Sequence, residues 1–181
     1  GLHRAFNTEG QNTSLTFLDK DGHAVCTSSG YASKTYQRDG NGTVVGEQYF
    51  DTEGNPARSS LGQYGELYQR NEQGYISQIT YLDADGNPTP TNAGFTILRR
   101  TYQRDGTADT DMYFDANGNP KALPKGQYGI KRSGKVNLLL DRNGNNMLCV
   151  DNILNVFPCM VVVLGCVVCL LMIVLPKSLN V

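Results

Sequence analysis

Apolar and aromatic residues in the first 145 positions fall in short runs separated by turn-forming residues. Segments such as "GYISQITYLD" (74–83) and "GFTILRRTYQ" (94–103) are rich in β-branched and aromatic side chains and are bounded by Gly, Asn and Asp. That is the pattern of strands closed by turns. No segment before residue 150 sustains a 3.6-residue apolar period, so the region is predicted to be all-β. Polar and apolar residues alternate imperfectly and large aliphatics are scarce. One hairpin alone therefore cannot bury a core, and neighbours must stack or extend a single sheet.

The pattern is periodic. An aromatic at Phe17, Tyr49, Tyr81 and Tyr113 is followed two places later by Asp19, Asp51, Asp83 and Asp115, a step of 32 residues each time. Three glycine series keep the same step: Gly22, Gly54, Gly86, Gly118; Gly30, Gly62, Gly94, Gly126; and Gly10, Gly42, Gly74, Gly106. A second motif, "YQRDG" or "YQRNEQG", begins at Tyr36, Tyr68 and Tyr102, the last displaced by two residues. Such a period marks a repeat architecture. The reading is a β-hairpin solenoid or extended sheet over residues 1–145, with units near 17–48, 49–80, 81–112 and 113–138 and a shortened fifth from "LLDRNGN". Each unit is a hairpin closed by an "RDGNG"-type turn, then a looser connection such as "DTEGNPARSSLG". In Asp-x-x-Gly-Asn-Pro the Asp bonds its own downstream backbone, Gly takes positive φ and Pro ends ladder pairing.

After a linker at 146–155 the pattern changes. Residues 156–175, "VFPCMVVVLGCVVCLLMIVL", hold no charged or strongly polar side chain. As a helix they reach about 30 Å, the hydrocarbon thickness of a bilayer. The segment is predicted to be one transmembrane α-helix, with Pro158 in its first turn, followed by a short tail, 176–181. The chain opens on Gly1 and stops just past this run, so it reads as a fragment. The repeats are expected on the extracytoplasmic side, by analogy with other repeat proteins.

Charge and cysteines narrow the classes of function. The net charge is −1, which leaves no electrostatic footprint for nucleic acid. Residues 1–120 hold nine Lys/Arg against fifteen Asp/Glu, while 121–150 hold six against one. An acidic body thus precedes a basic neck. Four of the five cysteines, Cys149, Cys159, Cys166 and Cys169, lie in or beside the apolar tract, and Cys26 stands apart. This is neither a disulfide framework nor a metal-ligand spacing.

The phrases "YFDTEGNP", "YLDADGNP" and "YFDANGNP", with "YQRDG" between them, resemble the tyrosine- and glycine-rich β-hairpin repeats of bacterial surface proteins: YD (Rhs-type) and WG or MORN-variant repeats. The resemblance covers about residues 4–145. The chain departs from it in having no Trp and a 32-residue unit. The resemblance implies a bacterial envelope protein with a non-catalytic repeat region and transfers no catalytic residue. A VanZ-like multi-pass membrane domain is one thing that could follow the chain.

Three kinds of chemistry bear on the function. Asp83/Asp85/Asn87 and Asp115/Asn117/Asn119 imitate the first half of a calcium loop, but position twelve falls on Gly94 and Gly126, where a bidentate Glu is needed. Tight turns are therefore expected, with no metal and no cofactor. All ten tyrosines lie between residues 31 and 128. Their flat rings suit packing within a thin sheet or stacking on sugar, and Tyr36, Arg38, Tyr68, Arg70, Tyr102 and Arg104 are the candidate ligand stripe. Catalysis has little support, because the two histidines, His3 and His23, have no plausible partner. The sequence thus reads as a non-catalytic, membrane-anchored envelope module. Its expected partners are the lipid bilayer, through 156–175, and cell-wall glycan or a protein. The alternative is an accessory domain of a multi-pass membrane protein or enzyme.

Overall fold

The computed structural model describes residues 1–147. They form ten strands: β1 (Leu2–Phe6), β2 (Asn12–Phe17), β3 (Ser33–Arg38), β4 (Val44–Phe50), β5 (Gly65–Arg70), β6 (Ile76–Leu82), β7 (Ile97–Tyr102), β8 (Ala108–Phe114), β9 (Gly129–Ser133) and β10 (Val136–Leu140). They lie in one antiparallel sheet in chain order, β1 to β10. The all-β hairpin array expected from the sequence is what forms, as five hairpins in succession. The predicted membrane helix at 156–175 lies outside the described residues. Among those described, no helix is long and apolar enough to cross a membrane.

Four of the five hairpin tips share one turn. In the second, Asp39 N–H donates to the Thr43 carbonyl and Gly42 N–H to the Asp39 carbonyl, each at 3.0 Å. Asp39 Oδ1 accepts from the amides of Asn41 and Thr43, both at 2.9 Å. Gly42 sits at φ +79°, a left-handed position that closes a three-residue loop with a bulge. The fifth tip, at Gly134–Lys135, is shorter.

The connections between hairpins are tighter than the sequence suggested. Each holds two further copies of the same turn, the first built on Asp19, Asp51, Asp83 or Asp115 and the second on Thr27, Ser59, Thr91 or Leu123. The Asp oxygen satisfies two backbone amides in every first turn, as at Asp115, which accepts from Asn117 and Asn119 at 2.9 Å. Local side-chain bonding replaces the missing ladder there. A bulged residue also recurs at the 32-residue step, at Thr13, Val45, Ser77 and Asp109, where pairing skips one position. Bulges of this kind increase local twist.

Strand register sorts the side chains onto two faces. Lys34, Tyr36, Glu47, Tyr49, Glu66, Tyr68, Ile79, Tyr81, Leu98, Arg100, Asp111 and Tyr113 share one face; Thr35, Gln37, Gln48, Leu67, Gln69, Gln78 and Arg99 share the other. The connections fold over the first face. Tyr31 stacks on Tyr49 with ring centroids 4.4 Å apart, and Phe95 sits between Tyr81 and Tyr113 at 5.5 and 4.7 Å. Tyr81, Leu98 and Tyr113 form the buried cluster, joined by Ile79, Phe95 and Leu123. The tyrosine series that opens each unit is thus the core of a thin, aromatic two-layer structure.

Successive connections are also tied to each other. Ser60 N–H donates to the Ser29 carbonyl and Asn92 N–H to the Leu61 carbonyl, both at 2.8 Å. The equivalent donor in the fourth connection is Pro124, which has no N–H.

Candidate functional site

The covered face carries polar residues that break the repeat. In the second hairpin, Lys34 Nζ lies 2.6 Å from Glu47 Oε2, with the side chains only 19% and 15% exposed. Glu66 stands directly across the β4–β5 ladder from Glu47. Two carboxylates thus face each other, and Lys34 is the ammonium bonded to the first of them.

Three side chains organise Glu66. Gln63 Nε2 donates to Oε1 at 2.9 Å, Tyr68 Oη donates to Oε2 at 3.0 Å, and Ser59 Oγ donates to Gln63 Oε1 at 2.8 Å. Burial pushes the Glu66 carboxyl above its ordinary value against these hydrogen bonds, and the Glu47 charge adds to the rise. Lys34 goes the same way for a different reason. Burial pulls it down, but the hydrogen bond and charge of Glu47 outweigh that and hold the ammonium above its usual range.

A second cluster spans β7, β8 and β9. Asp111 is buried and accepts from Arg100 Nε at 2.6 Å, Arg100 Nη2 at 2.9 Å and Arg132 Nη2 at 2.7 Å. Burial alone raises the Asp111 carboxyl, but the two guanidinium groups win and hold it low. The Asp111 hydrogen bond in turn raises Arg100. Two cations on one anion leave a surplus positive charge on this part of the face.

The candidate ligand stripe is divided by the structure. Tyr36 and Tyr68 occupy equivalent places in β3 and β5, next to Glu47 and Ile79 respectively. Arg38 and Arg70 lie at the hairpin tips, each bridging two carbonyls: Gly42 and Asn12 at 2.7 Å for Arg38, and Gly74 and Val44 at 3.0 and 3.2 Å for Arg70. Tyr102 is not the counterpart of Tyr36 and Tyr68. It stands at the position of Arg38 and Arg70, with Oη on the Ile76 carbonyl at 2.7 Å and Tyr75 stacked on its ring at 4.9 Å. Arg104 is exposed in the turn. The true counterparts of Tyr36 and Tyr68 are Arg100 and Arg132, so the stripe does not form one row of equal pairs.

Glu47, Glu66, Asp111, Arg100 and Arg132 were not singled out from the sequence. The signal available was their departure from the 32-residue register, in which Glu47 aligns with Ile79 and Asp111, and Glu66 with Lys34 and Leu98.

The other face is exposed toward the hairpin tips, at Thr35, Gln37, Gln48, Leu67 and Arg99, while Leu82, Ile97 and Leu140 are buried on it near the connections. Between the second and third hairpins lies a groove of about 490 Å³ whose lining includes Thr35, Gln37, Gln48, Leu67, Leu82 and Gly86, together with Tyr36 and Glu47 from strand positions that face the other way. The side chains of Thr35, Gln37 and Gln48 make no hydrogen bond among the described residues, so their donors and acceptors are free to meet a ligand beside the exposed Leu67. No group of three His, Cys, Asp or Glu side chains among the described residues is placed to hold a metal ion.

Comparison with family models finds no match, and comparison with curated proteins finds none either.

Proposed function

We propose that the chain is a non-catalytic module of a bacterial cell envelope that holds a cell-wall glycan strand along the open face of its sheet and is fixed to the membrane by residues 156–175. The groove between the second and third hairpins carries this reading. Its uncommitted amides and hydroxyl lie in the same groove as the exposed Leu67, a combination of polar and apolar groups of the kind that small ligands use. A sheet built from one unit repeated at a fixed step also suits a partner that is itself a repeating polymer. Apolar residues 156–175, preceded by six cations in 121–150, support a surface-proximal array on a single anchor.

The test is retention on isolated peptidoglycan. The full chain should be retained, and Gln37→Ala combined with Gln48→Ala should lose retention while melting at an unchanged temperature. Equal retention of both proteins rules out the groove as the binding site. Deleting residues 150–181 should move the protein from the membrane pellet to the supernatant; pelleting that survives high salt overturns the single-anchor reading.

A further inference from the structure

In the second and third hairpins and the connection between them, every cation is spent on the fold. Lys34 bonds Glu47, and Arg38, Arg58 and Arg70 each donate to a turn carbonyl. The last hairpin and the connection leading into it differ. Lys121, Lys125, Lys131, Lys135 and Arg142 are exposed, and their side chains make no hydrogen bond or ion pair among the described residues. Arg132 is the committed cation of that stretch, on Asp111. Nearby carboxylates are occupied as well: Asp111 already holds two guanidinium groups, and Asp115 and Asp141 give their oxygens to amides of their own loops.

The imbalance runs along the sheet. Residues 1–96 hold six Lys/Arg against eleven Asp/Glu, whereas residues 97–147 hold nine against five. Strand order follows chain order, so the sheet has an acidic part and a basic end. At the basic end Val136 is 59% exposed, next in the chain to Lys135. Leu138 pairs with Lys131 across the β9–β10 ladder, which puts Val136, Leu138 and Lys131 on one side of the sheet. Apolar side chains and lysines thus share a corner, the combination that settles at the boundary of lipid headgroups and acyl chains. Eight residues, 148–155, separate Met147 from the apolar run at 156–175, a tether of about 30 Å at full extension.

We propose that the fifth hairpin rests on the headgroups of an anionic bilayer, with Lys131 and Lys135 as the central contacts, Val136 inserted beside them, and Lys121, Lys125 and Arg142 around them. This rests on the reading of 156–175 as the anchor and adds which part of the array meets lipid. The same surface repels the acidic hairpins, so the sheet stands away from the bilayer on its basic end. β5 is five strand spacings, about 24 Å, from β10. The groove beside it is thereby held clear of the lipid.

The experiment places the full chain in lipid discs of pure phosphatidylcholine and of pure phosphatidylglycerol and follows lysine acetylation by mass spectrometry. In phosphatidylglycerol, Lys121, Lys125, Lys131 and Lys135 should react about fivefold more slowly, the factor each cation near an anionic surface supplies. Lys20 and Lys34 should keep their rates, and high salt should remove the difference. Lys131→Glu combined with Lys135→Glu changes two exposed side chains without internal partners, so the melting temperature should hold while Lys121 and Lys125 return to the phosphatidylcholine rate. A chain that stays in both discs but reacts equally in each overturns the surface alone, as does protection that survives the double variant. A chain that washes off both discs at high salt overturns the anchor and the surface with it. Inorganic polyphosphate that protects these lysines where phosphatidylglycerol does not assigns them to a soluble polyanion and overturns the lipid contact.

Discussion

Tyr102 does for the fourth hairpin what Arg38 does for the second. Its hydroxyl donates to the Ile76 carbonyl at 2.7 Å, as Arg38 Nη2 donates to the Asn12 carbonyl at 2.7 Å. Each reaches back to the preceding even-numbered strand, and each partner lies 26 residues earlier in the chain. The structure keeps the bond and changes the residue that makes it.

This equivalence is testable by exchange. Tyr102→Phe removes the donor and should cost about 0.5–1.5 kcal/mol. Tyr102→Arg should recover most of that loss, because the equivalent site in two other hairpins already accommodates a guanidinium. Urea denaturation of the two variants decides the matter, and an arginine variant less stable than the phenylalanine variant refutes the equivalence.

Glycines that look alike in the sequence should differ in tolerance. Gly86 has φ +84° and open space where a β-carbon would go, so Gly86→Ala carries only the backbone strain, about 1 kcal/mol. Gly62 has φ +101°, and its β-carbon would run into Asn92 Oδ1 of the next connection. Gly62→Ala should therefore lower the melting temperature further than Gly86→Ala, and should raise hydrogen exchange around Asn92 as well as at its own turn. Equal effects would show that the connections do not pack on each other.

Calcium should find no strong site in the Asp turns. Asp51, Asp115 and Asp141 each give Oδ1 to two backbone amides and stay below the usual carboxylate range, first through the amide of the residue four places on. A cation would have to compete with those bonds and would find too few further oxygens. Calorimetric titration should give no saturable heat and no change in melting temperature. A micromolar site would refute the turn reading.

Acid and base should act on the two clusters in opposite directions. Asp111 is held low, so its contribution is present above its unfolded value of about 3.9 and is lost as pH falls through the lower folded value. Glu66 is raised, so its contribution is present below about 4.3 and is lost as pH climbs through the folded value. Glu66→Gln should flatten the stability profile in that upper window. Asp111→Asn should cost about 2–4 kcal/mol near neutral pH, less than for a fully buried pair because its arginines are 29% and 31% exposed. Chemical denaturation from pH 3 to 8 compares the three proteins, and a Glu66→Gln profile parallel to that of the parent chain contradicts the assignment.

The strands and turns were legible because their chemistry has to recur. Gly42 and Gly74 need a left-handed backbone at φ +79° and +84°, and Asp39 and Asn71 need a side-chain acceptor, so the letters repeat with the shape. The connections read as loose because Thr27, Ser59 and Thr91 make their turns with hydroxyls, a weaker sequence mark than Asp-x-x-Gly. The clusters were not legible. Glu47 and Glu66 are 19 residues apart in the chain and become neighbours only through the β4–β5 register. Tyr102 misleads for a related reason: "YQRDG" matches by its letters, whereas Gly106 keeps the true phase and moves Tyr102 onto the arginine position.

Pro124 has a mechanical consequence. The Ser29–Ser60 and Leu61–Asn92 bonds act as stitches in a seam along the covering layer, and the seam ends where proline offers no thread. Gly94 accordingly has nothing nearer to its would-be β-carbon than Lys121 Cε at 3.9 Å, whereas Gly30 is crowded by the Arg58 carbonyl at 2.8 Å. A load applied at the two ends of residues 1–147 would meet a reinforced strip over the first three connections and a plain one beyond. In a single-molecule pulling trace the last hairpin should peel away first, at lower force, and the stitched part should then yield as one larger step.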